Sequence, residues 1–348
     1  MNLLITGAWT SKYISEIEKE GHKVVFMQQE KDRLPCAYDW PEGIICNGLF
    51  LHHPLSRFTN LRYIQLTSAG FDRLPVQEVL ERKIEIHNAR GVYSVPMAEY
   101  AVAGVLDLYK DMGQFRDQQK SRKWIKNRRI RELAGSRVLI VGCGSVGTEC
   151  AKRFKAFGCR VTGVDRSIPG EEGDRGGIRV LDYDKQSGRN SGGDRGGGFK
   201  SFYDRIRLLE ALDEELTKAD IVVLTLPLTD ETRGLIDGAW LNLIRGILVN
   251  ISRGALVDRQ ALERWEGAAV LDVFEEEPLP PESPLWEKDN TIITPHNSFV
   301  GDGNEDRLKA LIMENMRKAC SLPGRKALIM ENMRKARSLP GRKDAEND

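Results

Sequence analysis

Three side chains in the second half of the chain have the chemistry to hold an organic acid and to move a proton. Arg253 stands in the segment NISRG, Glu277 in EEEP and His296 in TPH, and each segment comes after a run rich in Val, Ile or Leu. A guanidinium matches a carboxylate with two parallel hydrogen bonds, and an imidazole gives or takes a proton near neutral pH. A carboxylate at one imidazole nitrogen fixes the tautomer and stabilises the imidazolium. Because ligands in open α/β sheets bind beyond the carboxyl ends of the strands, we expect the three residues around one crevice.

Each of these residues has an ordinary structural explanation when it is taken alone. An isolated Arg in a loop is usually a solvated charge, and a Glu before Pro is often a turn residue. A lone His is more often a surface or core residue than a catalytic one, and we interpret the remaining histidines in that way: His22, His52, His53 and His87. The joint occurrence of all three residue types at strand ends favours the catalytic interpretation.

A glycine-rich turn predicts a dinucleotide-binding site. The run GCGSVG (142–147) completes the apolar strand RVLIVG and opens a helical stretch. Gly142 allows a tight turn, Gly144 lets the backbone approach a pyrophosphate, and Gly147 lets the helix pack on the strand. The alternative is a glycine-rich turn without a ligand, which the surrounding strand and helix pattern makes the weaker interpretation.

The residues that follow this turn refine the cofactor prediction. The helix N-terminus, at Ser145 and Val146, offers unpaired amides and a positive dipole end to phosphates. The next strand, RVTGVD, ends at Asp165, whose carboxylate can accept hydrogen bonds from the adenosine ribose hydroxyls. A carboxylate there repels a 2′-phosphate, so we expect NAD rather than NADP, although Arg166 follows immediately and could bind that phosphate.

The composition excludes several classes of protein. The 348 residues contain 52 Lys+Arg and 51 Asp+Glu, so the net charge of +1 argues against a nucleic-acid-binding or membrane-surface protein. No apolar run has the length of a membrane span, and the N-terminus reads as a strand instead of a signal peptide. Six scattered cysteines show no CxxC pair and no metal-ligand spacing with His. We therefore expect reduced, buried cysteines in a cytoplasmic protein that binds no metal.

Alternating apolar and helical segments predict two α/β domains with parallel sheets. The runs LLIT, KVVFM, GIICN, RYIQL and IEIHN predict a flavodoxin-like substrate domain over residues 1–95. A long helix near Pro96, with an apolar face broad enough to cover another domain or subunit, then begins a Rossmann-type domain over 96–296. Unbroken runs of Val, Ile and Leu there are typical of strands buried on both faces. Residues 297–348 are expected to return to the first domain.

Three segments do not fit this alternation. Residues 169–198 contain ten glycines and the pentamer GDRGG twice, so we expect a disordered insertion, with a phosphate cradle as the alternative. The stretch 309–325 is repeated at 326–342 with one difference, which indicates a recent duplication that adds a surplus helix. The stretch 120–131 has seven Lys or Arg and no acid, which favours a solvated connector over an anion-steering or partner-binding patch.

Taken together, these motifs resemble the D-isomer-specific 2-hydroxyacid dehydrogenase family, with members such as phosphoglycerate dehydrogenase and hydroxypyruvate reductase. The resemblance includes SVPMAEYAVAGVLDLY (94–109), the Trp124 region leading into ELAGSRVLIVG, and LPLTDETRGLI (226–236). It covers nearly the whole chain apart from the glycine-rich and duplicated segments. Arg253 and Glu277 stand closer together than is usual in the family, which predicts a short helix over 258–266.

The resemblance implies a role for each matching residue. Arg253 would clamp the substrate carboxylate and polarise the 2-oxo group, and His296, held by Glu277, would exchange a proton with the substrate oxygen. The loop Ser68-Ala69-Gly70 would grip the substrate carboxylate with backbone amides. The implied cofactor contacts are Gly142, Gly144, Ser145, Val146, Gly147, Asp165, Arg166, Leu226, Pro227, Thr232, Ile251, Ser252 and, near the nicotinamide carboxamide, Asp272.

The function that this resemblance implies is NAD-dependent interconversion of a 2-oxo acid and a D-2-hydroxy acid, in a cleft between the two domains. The expected partners are a small 2-oxo or 2-hydroxy acid and a second copy of the chain in a homodimer, without nucleic acid or membrane. Phosphohydroxypyruvate, hydroxypyruvate, glyoxylate and pyruvate all share the head group that Arg253 would hold. The alternative is a non-catalytic, NAD-responsive binding protein similar to the co-repressors of the family, against which the intact Arg253, Glu277 and His296 argue.

Overall fold

The computed structural model describes residues 1–9, 11–71, 73–166 and 202–321. These residues divide into two units, Met1–Tyr93 with residues 301–321, and Ser94–Val300. The glycine-rich segment and the second copy of the repeat lie outside the described residues, as does the end of the first copy. Each unit is built on a parallel sheet, which confirms the predicted α/β fold class.

The first unit contains a parallel sheet whose strands match the five apolar runs of the sequence. The strands are β1 (Asn2–Thr6), β2 (Lys23–Met27), β3 (Gly43–Cys46), β4 (Tyr63–Leu66) and β5 (Glu85–His87). Their order is β2-β1-β3-β4-β5. The helices of this unit are α1 (Ser11–Lys19), α2 (Val76–Glu81) and α9 (Asn304–Ser321). Ile312 and Met316 of α9 are buried in the same cluster as Leu3, Ile5 and Tyr63 of the sheet, so α9 forms part of the core of this unit.

The second unit contains the larger sheet and the predicted nucleotide-binding order of strands. The strands are β6 (Arg137–Val141), β7 (Arg160–Asp165), β8 (Arg205–Leu208), β9 (Ile221–Leu224), β10 (Ile247–Asn250), β11 (Ala268–Leu271) and β12 (Thr291–Ile293). Their order, β12-β11-β10-β9-β6-β7-β8, reverses direction between β6 and β9. A ligand site in a doubly wound sheet lies at this switch point, beyond the carboxyl ends of the strands.

Six helices of the second unit lie in its described part. They are α3 (Ser94–Tyr109), α4 (Met112–Lys120), α5 (Ser145–Ala156), α6 (Leu212–Lys218), α7 (Gly238–Leu243) and α8 (Arg259–Arg264). The short α8 agrees with the predicted short helix over 258–266, and Asp258 caps it by accepting a hydrogen bond from Ala261 N. None of the helices in the described residues is long and apolar enough to cross a membrane.

The apolar face of α3 packs inside its own unit. Its alanines and valines share one core with Phe154 of α5 and Val270 of β11. At Gly104 an added Cβ would come within 2.6 Å of Val270 Cγ1, so the helix approaches the sheet closely. The expectation that this face covers another domain or another subunit was wrong, because α5 and one face of the sheet of its own unit already bury it.

The basic segment that follows α4 lies at the surface. Residues 121–126 are exposed, and the indole of Trp124 has 94% of its area accessible. Arg131 stacks its guanidinium 4.4 Å from the ring centre of Tyr109, which anchors the end of the segment to α3. The segment therefore crosses the surface of its unit with exposed basic and aromatic side chains.

Candidate active site

The glycine-rich turn joins β6 to α5 in a backbone shape that only glycine fits at two positions. Gly142 has φ +103°, and an added Cβ would lie 3.0 Å from Leu226 N. At Gly147 an added Cβ would lie 2.1 Å from Gly142 O. Thr225 Oγ1 donates to Gly142 O at 2.6 Å, so the residue after β9 holds the turn from the neighbouring strand. The turn has the shape that close approach to a pyrophosphate requires.

The start of α5 supplies the expected phosphate-facing amides. Gly144 is the N-cap, in an extended conformation, and the helix runs on for twelve residues. The backbone N–H groups of Ser145, Val146 and Gly147 belong to its first turn, where N–H groups have no acceptor within the helix. Together with the positive end of the helix dipole, these amides fit a dinucleotide pyrophosphate.

Asp165 lies at the end of β7 beside this turn. Its Oδ2 accepts a hydrogen bond from Cys143 N at 2.7 Å, and its Oδ1 accepts one from Arg166 N at 2.7 Å. The carboxylate is thereby fixed next to the glycine-rich turn, where a ribose would lie in this type of fold. Burial raises the pKa of the Cys143 thiol to about 12, and the neighbouring Asp165 charge adds to this effect.

The loop after β9 contains three of the residues predicted to contact a cofactor. The side chain of Leu226 reaches Gly142 of the glycine-rich turn, at 3.1 Å from the position of an added Cβ. Thr232 is buried, and its hydroxyl donates to Pro227 O at 2.8 Å and accepts from Thr229 N at 2.7 Å. The Thr232 side chain therefore closes the loop on itself, and Leu226 lies beside the glycine-rich turn.

Asn250, at the end of β10, shapes the turn that carries Arg253. Its Oδ1 accepts hydrogen bonds from the backbone N–H and the hydroxyl of Ser252, at 3.2 and 3.1 Å. Its Nδ2 donates to Arg253 O at 3.0 Å. Ile251 is buried in the core, while Arg253 is partly exposed and donates from Nη1 to Ser252 O at 2.8 Å. The buried side-chain amide of Asn250 thus stabilises the turn through three hydrogen bonds.

Glu277 and His296 form a hydrogen-bonded pair. Glu277 Oε2 and His296 Nδ1 are 2.7 Å apart, and the two side chains are 36% and 38% exposed. The other carboxylate oxygen, Oε1, accepts a hydrogen bond from Phe274 N at 2.9 Å. The carboxylate is held by the backbone on one side and faces the imidazole on the other, as a proton-transfer pair requires.

The loop that carries His296 is anchored to Asp272. Asp272 is 0% exposed, and its carboxylate accepts hydrogen bonds from Thr294 Oγ1, Asn297 N and Ser298 N at 2.7, 2.8 and 2.9 Å. Burial raises the pKa of Tyr100, whose hydroxyl hydrogen-bonds the Thr294 side chain. His296 has φ +51°, a left-handed conformation that costs a non-glycine residue about 1–3 kcal/mol. A contact from Asp272 to a nicotinamide stays a prediction.

The predicted substrate loop of the first unit follows β4. Ser68 Oγ donates to Gly70 O at 3.1 Å, and Ser68 O accepts from Ala89 N at 2.8 Å. Asn88 Nδ2 donates to Ala69 O at 2.6 Å. In these hydrogen bonds the carbonyl groups of the loop act as acceptors. The bonds from Asn88 and Ala89 hold the loop against the segment after β5. Ala69 is exposed.

The family model for the NAD-binding domain of D-isomer specific 2-hydroxyacid dehydrogenases matches residues 102–187 and 200–298. The chain belongs to this family. A glyoxylate reductase of Aeropyrum pernix is 31% identical over 277 residues, which span 75% of this chain and 74% of that protein. An (S)-sulfolactate dehydrogenase of Chromohalobacter salexigens is 29% identical over 273 residues, which span 76% and 79% of the two chains.

A solved structure of the same family supports the fold. The D-isomer specific 2-hydroxyacid dehydrogenase of Xanthobacter autotrophicus, in complex with NADPH and MES, is 25% identical. It covers 92% of this chain and 96% of its own, with a TM-score of 0.69. The chain is accordingly an NAD(P)-dependent 2-hydroxyacid dehydrogenase, an oxidoreductase, and the comparisons do not favour the alternative of a non-catalytic binding protein.

Three polar residues of this dehydrogenase were missed by the sequence analysis. Asn250 builds the Arg253 turn, Thr225 holds the glycine-rich turn, and Thr294 joins the His296 loop to Asp272. Each stands at or just after the last residue of a strand. A polar residue at that position, directly before a segment with chemistry, is the signal that could have identified them.

Proposed function

We propose that this dehydrogenase interconverts a 2-oxo acid and a D-2-hydroxy acid, with His296 and Glu277 moving the proton and Arg253 holding the substrate carboxylate. The hydrogen bond of 2.7 Å between Glu277 Oε2 and His296 Nδ1 carries the proposal. It gives Nδ1 a carboxylate partner, which assigns proton exchange with the substrate to the opposite ring nitrogen, Nε2. The arrangement follows the logic of a histidine oriented by an acid.

The chain's own residues supply positioning and charge. In the direction of reduction, the His296 imidazolium donates a proton to the oxygen of the 2-oxo group, and Glu277 stabilises that imidazolium. Arg253 pairs with the substrate carboxylate and stabilises the negative charge that develops on the oxygen. The nicotinamide, when bound, supplies or accepts the hydride. In oxidation, neutral His296 takes the proton back.

The cofactor that the site supports best is NAD. Asp165 places a negative charge beside the glycine-rich turn, where it would accept hydrogen bonds from ribose hydroxyls and repel a 2′-phosphate. Arg166 is the residue that could reverse this preference, and the Xanthobacter relative was solved with NADPH. We propose that the cofactor contacts are those implied by the family resemblance, with the α5 N-terminus on the pyrophosphate.

The substrate contacts and the assembly are part of the same proposal. The backbone amides of the Ser68–Gly70 loop would donate to a substrate carboxylate. A homodimer is supported by the exposed Trp124 and Ile125, which a second copy would remove from water. The buried thiols of Cys46, Cys143 and Cys150 are consistent with a reducing, cytoplasmic compartment.

The direct test is NADH oxidation in the presence of a panel of 2-oxo acids. Glyoxylate, pyruvate, hydroxypyruvate and phosphohydroxypyruvate share the head group that Arg253 would hold, and they differ in the third carbon and its charge. We expect turnover of at least one of them, with a D-configured product where the product is chiral. An L-configured product, or no NADH oxidation by pure protein with any 2-oxo acid, would contradict the proposal.

A further inference from the structure

We propose that Asp272 is the positioning residue of His296, because it holds the loop of residues 294–298 so that the imidazole meets Glu277. This inference rests on the proposed function, in which His296 exchanges the proton. It differs from the cofactor contact that the family resemblance implies for Asp272, because here the carboxylate acts through the loop.

The Asp272 carboxylate is occupied by the loop on both sides of the histidine. Oδ1 accepts hydrogen bonds from Thr294 Oγ1 at 2.7 Å and Asn297 N at 2.8 Å, and Oδ2 accepts one from Ser298 N at 2.9 Å. Thr294 precedes His296, and the other two donors follow it. Since Asp272 is 0% exposed at the end of β11, the loop is tied to a point that the sheet fixes.

The backbone of His296 needs such an anchor. Its φ of +51° lies in the left-handed region, which is uncommon for residues with a Cβ, so the loop would relax if it were not held. His296 N donates to Asp272 O at 2.8 Å, and the side chain of Asp272 holds the residues on either side. The main chain and the side chain of Asp272 therefore hold His296 in the left-handed conformation that directs its imidazole toward Glu277.

The two partners of the proton-transfer pair are anchored separately. Glu277 is held by Phe274 N at 2.9 Å, and His296 is held through Asp272. The contact of 2.7 Å between them consequently depends on both anchors. A misplacement of about 1 Å at a reacting group costs on the order of 100-fold in rate, so a loosened loop lowers turnover.

Thr294→Val is the most informative variant, because it keeps the shape of the side chain and leaves Asp272 in place. It removes one donor to Asp272 and, with it, the hydrogen-bond partner of the Tyr100 hydroxyl. We expect kcat for 2-oxo acid reduction to fall by ~10-fold, since a hydrogen bond to a charged group is lost. The Kd of NADH, measured by fluorescence titration, and the Tm should stay close to wild type. Thr294→Ser, which keeps the hydroxyl, should restore kcat. Thr291→Val, at the start of the preceding strand β12, is the matched control, because Thr291 Oγ1 donates a long hydrogen bond of 3.4 Å to the neighbouring Asn290 Oδ1 and none to Asp272.

Asp272→Asn provides the stronger perturbation, because its NH₂ group cannot accept from the loop amides. We expect kcat to fall on the order of 100-fold. A raised Kd for NADH in Asp272→Asn, together with wild-type kcat in Thr294→Val, would show a cofactor contact and overturn the inference. If Asp272→Asn does not fold, the comparison of kcat between Thr294→Val and Thr294→Ser tests the inference by itself. Normal turnover in His296→Asn would refute the proposed function, whereas an inactive His296→Asn beside an unaffected Thr294→Val would refute only this inference.

Discussion

Gly254 lies directly against the backbone of Phe274. A Cβ added to Gly254 would come within 1.8 Å of Phe274 C and 2.2 Å of Phe274 O. Gly254 follows Arg253, and Phe274 N holds the carboxylate of Glu277. This approach therefore joins the turn that carries Arg253 to the segment that carries Glu277, through a contact that leaves no room for a side chain.

Gly254→Ala should damage both stability and activity. The clash is with backbone atoms, which cannot rotate away, so the variant should lose roughly 1–3 kcal/mol or more of unfolding free energy. It should also raise KM for the 2-oxo acid, because the Arg253 turn has to shift. Gly238→Ala is the matched control, since an added Cβ there only touches Ala261 Cβ at 3.5 Å. Urea unfolding and steady-state kinetics of the two variants would measure the difference, and equal behaviour would contradict the structure.

His296→Asn should remove proton transfer with little change in loop geometry. Asparagine tolerates a left-handed backbone better than most residues, so φ +51° can be retained. We expect kcat to fall by a factor on the order of 10²–10⁴, the range of general acid–base catalysis. NADH binding should stay within about twofold of wild type, because the proposed pyrophosphate and ribose contacts do not include His296. His52→Ala, at an exposed histidine of the other unit, should be indistinguishable from wild type.

The cofactor preference tests the position of Asp165. We expect a higher kcat/KM with NADH than with NADPH, because the carboxylate fixed by Cys143 N repels a 2′-phosphate. Asp165→Ser should reduce the ratio of kcat/KM with NADH to kcat/KM with NADPH. Equal or better kcat/KM with NADPH in the wild type would reject the assignment and indicate that Arg166 dominates.

The ion pair of Arg137 and Asp220 should make stability depend on pH. The Arg137 side chain donates to both carboxylate oxygens and holds the pKa of Asp220 below its usual range. A carboxyl group with a lowered pKa in the folded state stabilises the fold above its unfolded pKa of about 3.9, and this stabilisation is lost as pH falls through the folded pKa. Asp220→Asn should therefore cost about 1 kcal/mol at pH 7 and progressively less below about pH 4.

Asp117→Asn is the control for this measurement at pH 7 and pH 3. It removes an exposed ion pair, in which the side chains of Asp117 and Lys120 are 74% and 78% accessible, and it should leave the Tm unchanged at both pH values. A cost for Asp220→Asn that is the same at pH 7 and pH 3 would show that the carboxylate charge does not contribute.

The sequence predicts the sheets well because burial dominates them. Every run of Val, Ile and Leu assigned to a strand is a strand, and runs such as IVVL are buried along their whole length. The strand β8 was missed, because its sequence RIRL alternates charged and apolar residues at the edge of the sheet. An edge strand is half solvated and carries no continuous apolar signal.

The sequence predicts the contacts of the candidate active site less completely than it predicts the strands. The contact of Glu277 with His296 could be expected from the segments, and the structure shows it across nineteen residues of sequence. The anchoring of His296 by Asp272 could not be predicted. The hydrogen bonds run from residues 294–298 to a side chain more than twenty residues earlier, so they depend on the register of β11 and β12. The left-handed backbone of His296 has no sequence signal either, because only a small fraction of residues with a Cβ, histidines included, have a positive φ.

The pH profile of Glu277→Gln tests the central claim most directly. Glutamine keeps the shape and a hydrogen-bond acceptor for Phe274 N, but it removes the charge that stabilises the His296 imidazolium. Reductive kcat/KM should therefore fall in the variant, and the deficit should grow as pH rises. Glu276→Gln is the matched control, because the neighbouring Glu276 pairs with Arg259 at 2.9 Å and should leave the profile unchanged. A Glu277→Gln profile that superposes on the wild type over the whole pH range would contradict the assignment of Glu277 and His296 as the proton-transfer pair.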